Sequence, residues 1–314
     1  MIHVFPVGRL GNQMFQYAFA RILQINNPSQ AITWHWDILT KYGNENDGWR
    51  NDLKFFNTKD VDCADSSISL TLFQKIVYRL YWYFAPQPNA SLSEKAKYQN
   101  RFEPIISNCG FYYFGLAYYP YKFKHKKGID IVVSGSFEIV RHLEKYKSVF
   151  VKEFTPKYPL QSCNWALYEK ITSTESVCVS IRRGDFMLSK NSMHNVCSQS
   201  YFENAINKAL LKIPNATLFF FSDDIEWVKN NVKIGKNIQC YYESGRDPVW
   251  EKMRLMYSCK HFIISNSTFS WWAQFLGRNE NKMVFAPKRW YNDEFVPLIY
   301  QNEWILIDVK KNEY

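Results

Sequence analysis

The chain is predicted to fold as two α/β halves, each built on parallel strands, that face one another across a cleft. Three features of the sequence carry this prediction. Residues 2–26 run strand, glycine-bounded turn, helix; residues 176–287 alternate short apolar runs with segments of helical period; and Pro156 and Pro159 in FTPKYPLQ separate the halves. With 314 residues and 46% hydrophobic content there is enough apolar material for two cores. The boundaries are set at 1–155, which includes an irregular aromatic and basic region, and 156–314.

In MIHVFPVGRLGNQMFQYAFARILQI, Ile2–Phe5 reads as a strand, and Met14, Phe15, Ala18, Phe19 and Ile22 recur at helical spacing. AITWHW is a second strand ending at Asp37. From Asp62 to Lys127 regularity weakens, and pieces such as YWYFAPQP and YPYKFKHKK read as irregular. Inside that stretch Leu70–Pro86 is apolar but interrupted by Lys75 and Arg79, well short of the ~20 residues of a spanning helix. It suits an amphipathic helix covering the domain, with a helix lying on a membrane or partner as the alternative. IDIVVSGSFE is one more strand, entering the helix-like EIVRHLEKYKSVF. After Pro159 come SVCVSI, ATLFFFS, NIQCYY, HFIIS and KMVFAP as strands, separated by helices in SYFENAINKALLKI, DIEWVKNNV, DPVWEKMRLMYSC and TFSWWAQFLG. That alternation argues for a parallel sheet covered on both faces, where ligands bind at the carboxyl ends of strands.

Lys and Arg number 39 against 29 Asp and Glu, a formal charge of +10. The excess suits nucleic acid, a nucleotide or an acidic membrane surface, and equally a solvated basic face. Aromatic residues interleaved with cations in YPYKFKHKK keep a nucleic-acid-binding protein open. The start MIHVFPVGRL has no basic leader followed by an apolar stretch, so a cytoplasmic protein is expected and RGD as an adhesion signal is set aside. Seven cysteines (63, 109, 163, 178, 197, 240, 259) are odd in number, dispersed and without C-x-x-C, which suggests neither a disulfide framework nor a zinc site. The sequons at Asn89, Asn215 and Asn266 then read as chance matches.

Four polar clusters fall where strands end: GRLGNQ (8–13), RRGD (182–185), SDD (222–224) and SNSTFS (265–270). Arg182 and Arg183 project at the sheet's carboxyl edge, where a forked guanidinium can hold phosphate oxygens bidentately. The competing reading is an ion pair such as Arg183 with Asp185. Ser267 or Thr268 would cap a helix whose first N–H groups suit an anion, and Trp271 and Trp272 read as core. Asp223 and Asp224 suit a base N–H or a ribose hydroxyl, or else the cap of the next helix. The D-x-D string Asp60-Val61-Asp62 follows no convincing strand and is set aside as a metal site. GRLGNQ has G-x-x-G and not G-x-G-x-x-G; Asn12 and Gln13 suit a polyhydroxylated ligand or a phosphate. His194, in NSMHNVCSQ, reads as a surface loop residue.

Taken in order, GRLGNQMFQYAFA, SIRRGDF, FFFSDD and IISNSTFSWWAQFL resemble the bacterial α-1,2-fucosyltransferase family, from Gly8 to about Trp290. The resemblance implies a GT-B fold of two Rossmann-like domains. It also implies transfer of L-fucose from GDP-β-L-fucose to the 2-hydroxyl of a galactose unit, with inversion and no obligatory metal or other cofactor. Carried over, Arg182 holds the β-phosphate and stabilises departing GDP as the fucosyl carbon becomes oxocarbenium-like. Arg9 and Asn12 meet the acceptor hydroxyl or the diphosphate; Ser267, Thr268 and Phe269 complete the diphosphate cradle; Asp224 or Ser222 faces the guanosine. Asp185, next to the arginines, is the candidate base, against a salt bridge to Arg183. Where the family carries His two residues before the first arginine, this chain has Ser180, which cannot shuttle a proton near neutral pH. The family pattern also suggests His194 as a cleft residue. The implied partners are GDP-fucose and a galactose-containing oligosaccharide or lipid-linked glycan, without nucleic acid, and with peripheral contact to an anionic inner membrane face. A non-catalytic sugar binder of the same fold stays open beside the nucleic-acid alternative.

Overall fold

The computed structural model describes residues 1–41, 43–44, 48–61, 67–116, 123–125 and 128–309. The chain divides into two units, Met1–Thr155 with Pro297–Tyr300, and Pro156–Val296 with Gln301–Tyr314. The segment 297–300, placed by sequence in the second half, packs with the first, where Val140 N–H donates to Leu298 C=O at 3.0 Å.

The first unit contains β1 (Ile2–Val4), α1 (Leu10–Asn26), β2 (Ile32–Trp34), α2 (Leu72–Tyr83), α3 (Leu92–Asn108), β3 (Phe111–Phe114), β4 (Ile131–Gly135), α4 (Val140–Leu143) and α5 (Lys147–Glu153). Its four strands are parallel in the order β2-β1-β4-β3, with Ile2 opposite both Ile32 and Ile131. β1 and β2 are buried throughout, including the polar His3 and Thr33 at their centres. Within the stretch of weak regularity, the amphipathic helix expected over Leu70–Pro86 is observed as α2, whereas α3 and β3 were not anticipated. Each helix opens with a capping box, Thr71 with Gln74 and Ser91 with Glu94, which satisfies the first backbone donors. Asp62, Cys63 and residues 119–122 and 126–127 of YPYKFKHKK lie outside the described residues. Asp60 sits at φ 55° and accepts from Gln24 Nε2 at 2.9 Å, a structural contact.

The second unit contains α6 (Trp165–Ser173), β5 (Glu175–Ile181), α7 (Gln199–Lys212), β6 (Ala216–Ser222), α8 (Ile225–Asn231), β7 (Cys240–Tyr242), α9 (Val249–Tyr257), β8 (His261–Ile263), α10 (Thr268–Leu276), β9 (Val284–Pro287) and β10 (Ile305–Ile307). All six strands are parallel in the order β10-β9-β8-β5-β6-β7. The chain winds outward from β5 to β7, then returns to β8 on the other side and winds outward again. The strand order therefore reverses between β5 and β8, and the crevice beyond their carboxyl ends is where such sheets take ligands. Val177, Val179 and Ile181 of β5 pack with Leu218 and Phe220 of β6 against Tyr201, Phe202, Ala205, Ile206 and Ala209 of α7. Trp271 and Trp272 are fully buried, as the sequence predicts. β10 was not anticipated; its alternation is partly exposed and weak. The six described cysteines are free thiols. No helix among the described residues is long and apolar enough to cross a membrane.

Candidate active site

Three of the four predicted clusters meet at the switch point of the second sheet. β5 ends at Ile181, and Ser265 N–H donates to Ser180 C=O at 3.2 Å, joining β5 to the segment after β8. Beyond that link the Arg182 guanidinium forks: Nη1 lies 2.9 Å from Asp223 Oδ2, and Nη2 donates to Asp185 Oδ1. The expected pair of Arg183 with Asp185 is replaced by Arg182 with Asp185, because the 3₁₀ turn Gly184–Met187 folds Asp185 back toward the residue three positions before it. Arg183 is turned elsewhere. Its guanidinium carbon lies 3.5 Å from the Trp227 ring centroid, its Nε is 3.7 Å from Asp224 Oδ2, and its backbone N–H donates to Asp223 Oδ1 at 2.9 Å. The two arginines thus have separate tasks: Arg183 is a packed cation over an aromatic face, and Arg182 presents its fork at the strand end. A Cβ at Gly184 would fall 2.3 Å from Asp223 Oδ2, so the glycine of RRGD leaves room for the carboxylate that orients Arg182.

At the end of β6, the Ser222 and Asp224 side chains each accept one hydrogen bond within the turn. Ser222 Oγ accepts from Asp224 N–H at 3.0 Å, and Asp224 Oδ1 caps α8 by accepting from Trp227 N–H at 3.1 Å. The cap reading of Asp224 therefore describes the observed contact, and Asp223 is the acid that reaches the arginine. The buried Glu243 and the half-buried Lys252 support the turn. Glu243 accepts from Ser222 N–H at 2.6 Å, and Lys252 Nζ lies 2.9 Å from Glu243 and donates to Ser222 C=O at 3.1 Å. Burial pushes the Glu243 carboxyl above the usual range, and Lys252 opposes the shift. Sequence inspection missed Asp223 as the partner of Arg182, Trp227, and the Glu243–Lys252 pair, none of which belongs to a local motif.

After β8, Ser265 and Asn266 are buried and hold the loop. Asn266 Nδ2 donates to His194 C=O at 2.8 Å and Trp290 C=O at 2.9 Å. Ser270 Oγ reaches Ser265 C=O at 3.1 Å and Ser267 C=O at 2.9 Å. Between these anchors Ser267, Thr268 and Phe269 are half-buried, with Ser267 Oγ accepting from Phe269 N–H at 3.3 Å as the cap of α10. The start of α10 adds partial positive charge to the strand end. His194 is not a surface residue. Its ring stacks on Phe186 at 5.3 Å and meets Tyr291 edge-on at 5.5 Å, and Phe186 also lies 5.6 Å from the Arg182 guanidinium. Burial lowers the His194 pKa, opposed by the charge of Asp185, so the imidazole is neutral at pH 7. Ser180 is buried within β5.

In the first unit, Arg9 and Asn12 stand at the start of α1, where Arg9 makes no side-chain cap hydrogen bond. The turn before it needs glycine: Gly8 has φ +74°, and a Cβ there would lie 2.8 Å from Asn12. Gln13, grouped with Asn12 by sequence, is fully buried. It donates to Gly8 C=O at 3.2 Å and Arg50 C=O at 2.8 Å and accepts from Asp52 N–H at 3.2 Å, so it shapes the loop rather than presenting an amide to a ligand. Asn12 is half-buried. Among the described residues no group of three or more His, Cys, Asp or Glu is arranged to hold a metal ion.

Residues 148–308, which include every switch-point residue named above, match the profile of Glycosyl transferase family 11. The chain belongs to glycosyl transferase family 11. As a family 11 glycosyltransferase it is 26% identical to the O-antigen biosynthesis glycosyltransferase WbnK of Escherichia coli, over 95% of this chain and 97% of that one. It is 29% identical to an alpha-1,2-colitosyltransferase of Escherichia coli, covering 91% of each chain. Among solved structures it is similar to the fucosyltransferase NodZ from Bradyrhizobium, with TM-score 0.53, 12% identity, and coverage of 88% of this chain and 93% of that one. The fold is of the GT-B class, with two Rossmann-like α/β units.

Proposed function

We propose that this family 11 glycosyltransferase moves L-fucose from GDP-β-L-fucose to the 2-hydroxyl of a galactose unit, with inversion and without an obligatory metal. The observation that carries the reading is Arg182, held at the reversal of strand order beside the start of α10. The guanidinium takes the β-phosphate oxygens, and Ser267, Thr268 and Phe269 line the diphosphate. Asp224 or Ser222 faces the guanosine.

Asp185 and Asp223 both pair with Arg182. An incoming diphosphate competes for Nη2 and releases Asp185, while Asp223 keeps the arginine oriented. The freed carboxylate then accepts the proton of the acceptor hydroxyl. The hydroxyl oxygen bonds to the fucosyl C1, the bond from C1 to the phosphate oxygen breaks, and GDP leaves with the electron pair. Arg182 balances the charge that develops on the departing oxygen, an interaction stronger in the transition state than before it. Ser180 places a hydroxyl where the family's histidine would stand, so proton transfer in this chain falls to Asp185.

A nucleotide-linked colitose, which is fucose without its 3-hydroxyl, is the second donor to consider, because one relative is a colitosyltransferase. The experiment is a panel of galactosides incubated with each donor in the presence of EDTA, with the linkage read by methylation analysis. The proposal expects fucose at O-2 of galactose with EDTA present. Transfer of colitose alone would replace the donor, a different linkage would replace the acceptor position, and silence until metal is added would overturn the arginine's role.

A further inference from the structure

The helix α2 is turned inside out relative to an ordinary amphipathic helix. A surface helix buries its apolar stripe; here the packed side holds Gln74, Val77 and Tyr81, and most of the large apolar side chains face outward. Gln74 Nε2 donates to Cys109 C=O at 2.9 Å and Asp130 C=O at 3.0 Å, and the Tyr81 ring lies 5.1 Å from Tyr98 and 5.5 Å from Tyr113. At about 3.6 residues per turn, Leu72, Ile76, Leu80 and Tyr83 fall along one strip, with Phe73 beside it. All five are exposed: Leu72 76%, Phe73 65%, Ile76 48%, Leu80 54% and Tyr83 81%; Phe84 continues the patch past the helix end. Soluble proteins rarely leave so continuous an apolar face uncovered. Lys75 and Arg79, also exposed, border the strip on its other side.

We propose that α2 is an interfacial helix that lies on an anionic lipid surface, its apolar strip among the acyl chains and Lys75 and Arg79 at the headgroups. Charge selects this occupant over a second copy of the chain. Between residues 67 and 93 the only charged side chains are Lys75 and Arg79. A two-fold pairing sets this patch against itself and brings like charges together with no acid in the segment to neutralise them, whereas anionic headgroups neutralise them directly. The excess of ten positive charges over the whole chain acts in the same direction. None of these residues belongs to the donor site, so the inference goes beyond the proposed reaction and is tested without it.

The test is co-sedimentation of the full chain with phosphatidylcholine vesicles, with and without phosphatidylglycerol, at low and high salt, with circular dichroism as the check on folding. Wild type pellets with the anionic vesicles and is released by salt. Lys75→Gln with Arg79→Gln lowers the partition about 25-fold, at about fivefold per cation. Phe73→Glu with Leu80→Glu stays in the supernatant while keeping its helical signal. The inference is overturned if wild type ignores anionic vesicles, or if the Phe73→Glu, Leu80→Glu variant binds them like wild type. It is likewise overturned if light scattering shows a dimer that this variant dissociates while vesicles capture nothing.

Discussion

Arg182 holds two carboxylates on one guanidinium, and in the proposed reaction the difference between them sets the chemistry. Asp223 is fixed by the Arg183 N–H and by the space at Gly184, whereas Asp185 sits on the 3₁₀ turn Gly184–Met187. Asp185→Asn should therefore separate binding from turnover. With the competing charge removed, GDP binds about two- to fivefold more tightly, the worth of a part-exposed ion pair. Transfer falls by about 10²–10⁴, the contribution of a positioned base. Calorimetry with GDP and initial rates on one preparation check both, and unchanged affinity with unchanged rate removes Asp185 from the mechanism. The arginines were legible because two cations at the end of an apolar run stand out. Which of Asp223 and Asp224 pairs with Arg182 was not, because the choice depends on which one caps α8, and that is settled by the turn. Gln13 misled for a similar reason, since an amide in a loop motif gives no sign that three backbone groups will consume it.

The elements show why 72–114 looked irregular. The capping signals T-L-F-Q and S-L-S-E stand in the sequence, but Val77 and Tyr81 of α2 pack on a core while Leu72, Phe73, Ile76 and Leu80 are exposed, so the helical period carries a weak burial signal. α3 also buries Glu103, which accepts from Gln99 Nε2 at 3.1 Å, and burial raises its carboxyl to about 8 from 4.5. The folded state thus binds a proton that the unfolded chain releases near pH 4.5. Stability from this group is full below pH 4.5 and is lost as pH rises toward 8. Glu103→Gln should melt like wild type at pH 4.5 and above it at pH 8, the gap opening by at most roughly 1.4 kcal/mol per pH unit. Equal melting temperatures at pH 8 would show that the carboxyl ionises freely in the fold.

At the scale of the molecule, the strand and helix alternation after Pro159 foretold the second sheet because β5 from Ser176 onward and all of β6 are buried in a parallel sheet. The return of residues 297–300 to the first unit was not foretold, since it rests on a contact between Leu298 and Val140 that lie 158 positions apart. The reversal of strand order between β5 and β8 is what turns three separate motifs into one site. Arg182→Lys tests that site most directly, because lysine keeps the charge but cannot span two partners and a phosphate. Measured as fucosyl transfer from GDP-fucose to a galactoside in EDTA, with melting temperature as the control, the variant should lose about 10²–10³ in kcat at unchanged stability. Turnover at the wild-type rate would contradict the account.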